Sequence, residues 1–283
     1  MNGPDSSFEA AKATLTGDRS SNQDRCLVLR SDETVLLGLA DGLGGHPRGD
    51  VAAQLLVDVC ESMFRQAPKP LYDPERFMLQ CIGKAHHSIL RFGRRQQPPS
   101  EPRTTAVLAV VQAGVAYWVH VGDSRLYLLR EGRVLFQTQD HTQVQFVRQN
   151  ADEASRPHSK LTRCLGGLSS PPTTTCGTPT LLQKNDTIVL CSDGLWGQVP
   201  AQRMIEDLEP SPTALASGLQ RLVEHAVSMP NSDNVTAVAL RWLADPSTLA
   251  DQALLAEPPA DPQLEQAIRH LASLLEKSGE PKR

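Results

Sequence analysis

Five aspartates stand beside the ends of apolar runs. Asp24 precedes Leu27–Leu29, Asp41 follows Val35–Ala40, Asp123 follows the run Val115–Val121, Asp193 follows Thr187–Cys191, and Asp233 precedes Val235–Trp242. Strand ends are where a layered fold exposes convergent side chains while the sheet fixes their positions. Carboxylates gathered there repel and raise one another's pKa unless a hard cation holds them. Ligation by oxygen alone, with no histidine or cysteine at ligand spacing, selects Mg²⁺ or Mn²⁺ over Zn²⁺. Gly42 and Gly194 beside two of the aspartates permit close backbone approach, and a carbonyl there can serve as a further ligand. One Asp-Gly pair marks an ordinary turn equally well; the weight lies in five aspartates sharing one kind of location. Arg19, five residues before Asp24, can lay a planar, permanently charged fork beside such ions, where it suits a phosphate. Taken alone it reads as a surface arginine.

Other chemistries find less support. The six cysteines (Cys26, Cys60, Cys81, Cys164, Cys176 and Cys191) are scattered, without a C-x-x-C pair, and read as small buried apolar residues. None has an arginine six positions on, so the Cys-x₅-Arg loop of a cysteine phosphatase is missing. With 28 Lys+Arg against 32 Asp+Glu, the net charge of −4 gives no electrostatic footprint for nucleic acid. A composition that is 40% hydrophobic and 21% charged excludes wholesale disorder. Met1–Asp18 lacks a basic segment followed by an apolar core, which points to a cytoplasmic protein.

The elements that must hold these aspartates follow from periodicity. Leu27–Leu29 and Val35–Ala40 read as strands around a polar turn, followed by the glycine-rich loop Asp41–His46. Val51, Leu55, Leu56, Val59 and Met63 recur at helical spacing, predicting a helix over Asp50–Gln66. Asp73-Pro74 is a cap and first-turn proline opening a second helix through Leu90. Thr104–Gly122 carries no charge, yet Gln112-Ala113-Gly114 interrupts it and both flanks are β-branched, so a buried hairpin explains it better than a membrane span. With Arg125–Arg130 and Val134–Gln137 it predicts an antiparallel meander. Asp140 to about Thr180 reads as an irregular excursion. Thr187–Cys191 is a strand, helices are predicted over Ala201–Leu208 and Thr213–Ser228, and Val235–Trp242 is the last strand. His86 and His87 read as ordinary residues of the second helix. Runs of strands interleaved with helix pairs, without a strict βαβ alternation, argue an α+β fold or a layered α/β/β/α domain. The domain is expected over 1–243. Residues 244–283 form a Pro/Ala/Leu-rich tail ending in an amphipathic helix (Leu264, Ile268, Leu271, Leu274, Leu275) that packs on the domain or docks a partner.

The blocks Arg19-x-x-Asn22-Gln23-Asp24, Ala40-Asp41-Gly42-Leu43-Gly44-Gly45-His46, Thr104-Thr105-Ala106, Val121-Gly122-Asp123-Ser124-Arg125-x-Tyr127 and Gln139-Asp140-His141 occur in that order. Leu161-Thr162-Arg163-Cys164-Leu165-Gly166, Leu190-Cys191-Ser192-Asp193-Gly194-Leu195-Trp196 and Asp233-Asn234-Val235-Thr236 complete the series. Together they resemble the metal-dependent protein serine/threonine phosphatases of type 2C, and the Asp-Gly-x-Gly-Gly-His form is most similar to bacterial members. The resemblance implies an α+β fold, a four-layer α/β/β/α sandwich with a central antiparallel β-sandwich flanked by helix pairs. It also implies two core Mg²⁺ or Mn²⁺ ions activating a bridging water for in-line attack on phosphoserine or phosphothreonine, with no phosphoenzyme. It implies that Asp41 bridges the ions, Gly42 offers its carbonyl, Asp193 and Asp233 complete the direct ligands, and Asp24 acts through water. Asp123 matches the position that helps to hold a third, weaker ion, and Arg19 the phosphate-binding arginine. The implied partners are phosphoproteins that are substrates of a bacterial serine/threonine kinase, with no nucleic acid and no membrane span; a monomer is expected.

Three departures stand out. Gln23 replaces the glutamate of many members. Leu43 stands where eukaryotic relatives place a proposed general-acid histidine, and His46 is the candidate substitute, or else a loop-stabilising residue. Asn150–Ser159 falls in the variable flap beside the site. Two rival readings are a catalytically silent phosphoprotein-binding regulator, which the intact Asp41, Asp193, Asp233 and Arg19 count against, and a phosphoesterase acting on other esters.

Overall fold

The computed structural model describes residues 7–31, 34–44, 47–147, 156–167, 170–208 and 215–244. In chain order the elements are β1 (Phe8–Leu15), β2 (Arg25–Ser31), β3 (Thr34–Ala40), α1 (Gly49–Gln66), α2 (Pro74–Arg95), β4 (Arg103–Thr104), β5 (Ala106–Gln112), β6 (Val115–Val121), β7 (Arg125–Arg130) and β8 (Arg133–Gln137). They continue with β9 (Thr142–Val147), β10 (Arg156–Leu161), β11 (Leu165–Gly166), β12 (Thr175–Cys176), β13 (Thr180–Leu181), β14 (Thr187–Cys191), α3 (Asp193–Trp196), α4 (Ala201–Asp207), α5 (Leu215–Val227) and β15 (Val235–Trp242).

Two antiparallel sheets form the centre, one ordered β1-β15-β14-β7-β8 and the other β12-β6-β5-β3-β2, with β13 also on β6. Every residue of β3 and of β15 is buried. A strand buried on both faces is predominantly apolar, which explains the run Val35–Ala40 and the run Val235–Leu240 broken only by Thr236. Leu36, Leu108 and Val110 pack against Leu56, Cys60, Met78 and Ile82 of α1 and α2. On the other flank Val189, Ala237 and Ala239 pack against Leu219, Leu222 and Val223 of α5. The result is the expected α/β/β/α layering. The second helix starts as its sequence requires: the Asp73 side chain accepts the Arg76 N–H at 2.9 Å, with Pro74 in the first turn.

Three expectations are corrected. The predicted meander is not one sheet: β5–β6 and β7–β8 lie in different sheets, because the chain crosses between them at Gly122-Asp123-Ser124. The segment from Asp140 to Thr180 is not uniformly irregular. It carries the β9–β10 hairpin and the short strands β11 and β12, whose backbone groups are satisfied by pairing, and β11 buries Leu165. Strand β1 was not foreseen, since its Ala-Ala-Lys-Ala centre lacks alternation, as befits an edge strand buried fully only at Phe8 and Ala13. The one-turn helix α3 after Ser192 also lay below the resolution of periodicity. The terminal amphipathic helix and His46 lie outside the described residues.

Candidate metal centre

Strand ends converge at one end of the sandwich. Asp41 leaves β3 with its N–H donating to the Thr105 hydroxyl at 3.0 Å, while its carbonyl accepts from the Thr105 N–H and the Thr104 hydroxyl. Gly42 then passes so close to the start of α1 that a Cβ would lie 2.5 Å from the Gly49 carbonyl, so no other residue fits. Asp193 opens α3 directly after β14, and Asp233 enters β15. Asn234 ties the Arg19 segment to them: its side chain accepts the Gln23 N–H and donates to the carbonyls of Thr16 and Ser21. Asp123 is aimed by Trp196, whose indole N–H donates to the Asp123 carbonyl at 2.9 Å. The Trp196 ring lies 3.5 Å beneath Arg125, itself held by both oxygens of Asp140 at 2.8 Å.

A cleft of 640 Å³ brings together Arg19, Asp41, Gly42, Asp123, Asp193 and Asp233. Asp24 does not line it. It lies behind, 3% exposed, with one oxygen accepting from the Ser192 hydroxyl at 2.8 Å and the other without a partner. Gln23, Asn234, Ser192 and Trp196 sit inside the quoted blocks, but nothing local in the sequence marks what they do; each acts through contacts between distant chain segments.

Electrostatically the cleft is overcharged. Burial, with repulsion from Asp24, Asp193 and Asp123, pushes the Asp41 carboxyl well above its ordinary range. Burial likewise raises Asp24 to about 7 and Asp123 to about 6. Burial and the nearby Asp233 raise Asp193 as well. Arg19 compensates only at the rim, 2.7 Å from Asp233, where both side chains are substantially exposed. Among the described residues no three His, Cys, Asp or Glu side chains converge tightly enough to close on an ion. The donor set nevertheless fits hard divalent cations. It is all oxygen, it is over-supplied with charge, and it holds two buried acceptors without partners, Asp24 Oδ1 and Gln23 Oε1.

A family model described as Protein phosphatase 2C matches residues 16–242. The chain is 33% identical over 241 residues to the serine/threonine protein phosphatase PstP of Mycobacterium tuberculosis, covering 81% of this chain and 45% of that protein, so it spans about half the relative's length. It is 28% identical to the serine/threonine phosphatase stp of Listeria welshimeri, over 78% of this chain and 90% of that one. Among solved structures it is similar to the S. agalactiae serine/threonine phosphatase (TM-score 0.71, 25% identity, 84% of this chain and 100% of that chain). It is also similar to the catalytic domain of PstP in complex with two manganese ions (TM-score 0.66, 28% identity, 84% of this chain and 99% of that chain).

Proposed function

The chain belongs to the protein phosphatase 2C family, and from that membership we propose that it is a metal-dependent hydrolase of phosphoserine and phosphothreonine in proteins. The observation that carries the reading is the gathering of Asp41, Asp123, Asp193 and Asp233 with Arg19 in one cleft. In this reading Asp41, Asp193, Asp233 and the Gly42 carbonyl hold two Mg²⁺ or Mn²⁺ ions, Asp24 supports them from behind, and Asp123 helps to hold a third. When bound, such ions supply Lewis acidity and the means to ionise a water near neutral pH. Arg19 neutralises and orients the phosphoryl oxygens with its planar fork. Hydrolysis is direct and in line: among the described residues no cysteine lines the cleft, and Cys191, two residues before Asp193, is fully buried with its thiol pushed far up by burial. The leaving serine or threonine alkoxide needs a proton, and His46 remains the candidate donor from this chain.

On the same footing the catalytic unit is 1–243 with 244–283 an appended tail, the protein is a cytoplasmic monomer, and it reverses a bacterial serine/threonine kinase. No helix among the described residues is long and apolar enough to cross a membrane. The test is turnover of a phosphothreonine peptide with Mn²⁺, with EDTA, and by Asp41→Asn. Activity is expected with Mn²⁺ alone, and the substitution should lower kcat/KM by about 10³-fold. Activity that survives EDTA or Asp41→Asn overturns the reading.

A further inference from the structure

A second cleft, 610 Å³ in volume, is lined by residues of β6, β8 and β12. One wall is apolar, Trp118 against Phe136 with ring centroids 5.0 Å apart. The other carries His141, Arg163 and Thr175. The hydrogen-bond arithmetic on this second wall does not close. The Gly122 N–H donates to His141 Nδ1 at 3.1 Å, and an Arg163 N–H points at His141 Nε2 from 3.2 Å. A neutral imidazole offers one lone pair and one N–H. Burial, His120 and Arg163 together push His141 down to about 4, so the ring is neutral near pH 7.

With Nδ1 serving Gly122, Nε2 carries the hydrogen and gives it to the Thr175 hydroxyl at 2.8 Å. The Arg163 donor then faces another donor. Its remaining contacts, the Thr173 carbonyl and the Thr175 hydroxyl, both stand at 3.5 Å, beyond a good hydrogen bond. Arg163 is in none of the ion pairs among the described residues. The carboxylate that lines the same cleft, Asp140, has both oxygens occupied by Arg125. The cleft thus holds a guanidinium with unused donors, and a Thr175 hydroxyl that accepts from His141 and keeps its own proton to give.

We propose that this cleft is an oxyanion subsite, in which a carboxylate or phosphate group is held by Arg163 and the Thr175 hydroxyl. Its use, though not its existence, rests on the phosphatase reading. The two clefts back onto one dipeptide: Gly122 is bonded to His141, and Asp123 lines the carboxylate cleft. An acidic or second phosphorylated side chain of a substrate protein, a few residues from the phosphate being removed, fits that placement. Free inorganic phosphate offers the same chemistry.

The test has two arms. In the first, the full chain in EDTA is titrated with sodium sulfate at constant ionic strength, reading Trp118 fluorescence with W118F as control. A saturable change is expected, weakened about tenfold in R163Q and less in T175V, which preserves shape and tests the site should R163Q fold poorly. In the second arm, with Mn²⁺, phosphothreonine peptides carrying glutamate or glutamine near the phosphothreonine are compared. A preference of about fivefold for glutamate, expressed in KM and abolished by R163Q and T175V, is expected, with p-nitrophenyl phosphate turnover unchanged. Sulfate binding sensitive to R163Q or T175V without a glutamate preference supports the subsite and assigns it to a free anion. No saturable sulfate response together with no glutamate preference overturns it. Loss of all ester turnover with sulfate binding intact overturns the phosphatase reading and leaves the subsite standing.

Discussion

Arg19 lies 2.7 Å from Asp233, so in the proposed reading its guanidinium divides itself between that carboxylate and an incoming phosphate. A bidentate fork does what a point charge does not. Arg19→Ala should therefore lower kcat/KM on a phosphothreonine peptide by about 10²-fold, and Arg19→Lys should restore only part of that loss, as steady-state kinetics would measure. Ser192 gives the complementary case in the interior. Its hydroxyl is the donor to Asp24 across 168 positions of chain. Ser192→Ala should cost about 1–3 kcal/mol in denaturant unfolding, because a nearly inaccessible carboxyl loses its hydroxyl donor. The aspartates were legible because each follows or precedes an apolar run. The roles of Ser192, Asn234 and Gln23 were not, because hydrogen bonds between distant segments impose no local period. Depth was equally invisible: Asp24 and Asp41 look alike in sequence, yet one lines the cleft and the other lies behind it.

Elements were legible where burial is complete. Strands β3, β5, β14 and β15 and helices α1 and α2 follow from apolar runs or helical spacing, with boundaries that shift by a few residues. Edge strands β2 and β8 were read from their apolar residues, whereas β1, the β9–β10 hairpin and the two-residue strands were not, since small-residue or very short pairing imposes no readable period. Sheet membership depends on one feature, the crossing at Gly122. Its φ of +110° belongs to glycine, and a Cβ there would lie 2.7 Å from the Thr105 side chain. Gly122→Ala should cost about 2–4 kcal/mol of stability, combining strain and overlap, and should misplace Asp123. Trp196→Phe is the milder probe. It keeps a ring beneath Arg125 but deletes the N–H that holds the Asp123 carbonyl. A loss of about 1 kcal/mol is expected, with Mn²⁺ titration showing weakening confined to the weakest-bound ion.

At the scale of the whole molecule, the clustered carboxyls make stability a function of pH and of divalent ions together. A carboxyl whose pKa rises on folding binds its proton more tightly in the folded chain. Its contribution is therefore lost as pH climbs from the unfolded value of 3.8 through the folded values, about 6 for Asp123 and about 7 for Asp24. In the proposed reading divalent ions would replace those protons and remove the repulsion. The difference in Tm between samples in Mn²⁺ and in EDTA should widen steadily from about pH 5 to about pH 8. A constant difference across that range would contradict the role given to these groups.

The pairing of β1 with β15 has one more consequence. Phe8 lies opposite Trp242 and the Leu243 N–H donates to the Ser7 carbonyl at 2.8 Å, whereas Leu15 and Val235 mark the other end of that ladder, from which Arg19 and Asp233 emerge. The sandwich is in effect a closed ring of chain with its seam at the pole remote from the carboxylates. Joining Ser7 to Ala244 and reopening the chain at the Glu131-Gly132 turn would preserve every strand pair while moving the ends to another surface. Catalytic geometry should survive a cut at that turn, which makes the fold a candidate for insertion into, or splicing onto, other proteins with its cleft left open.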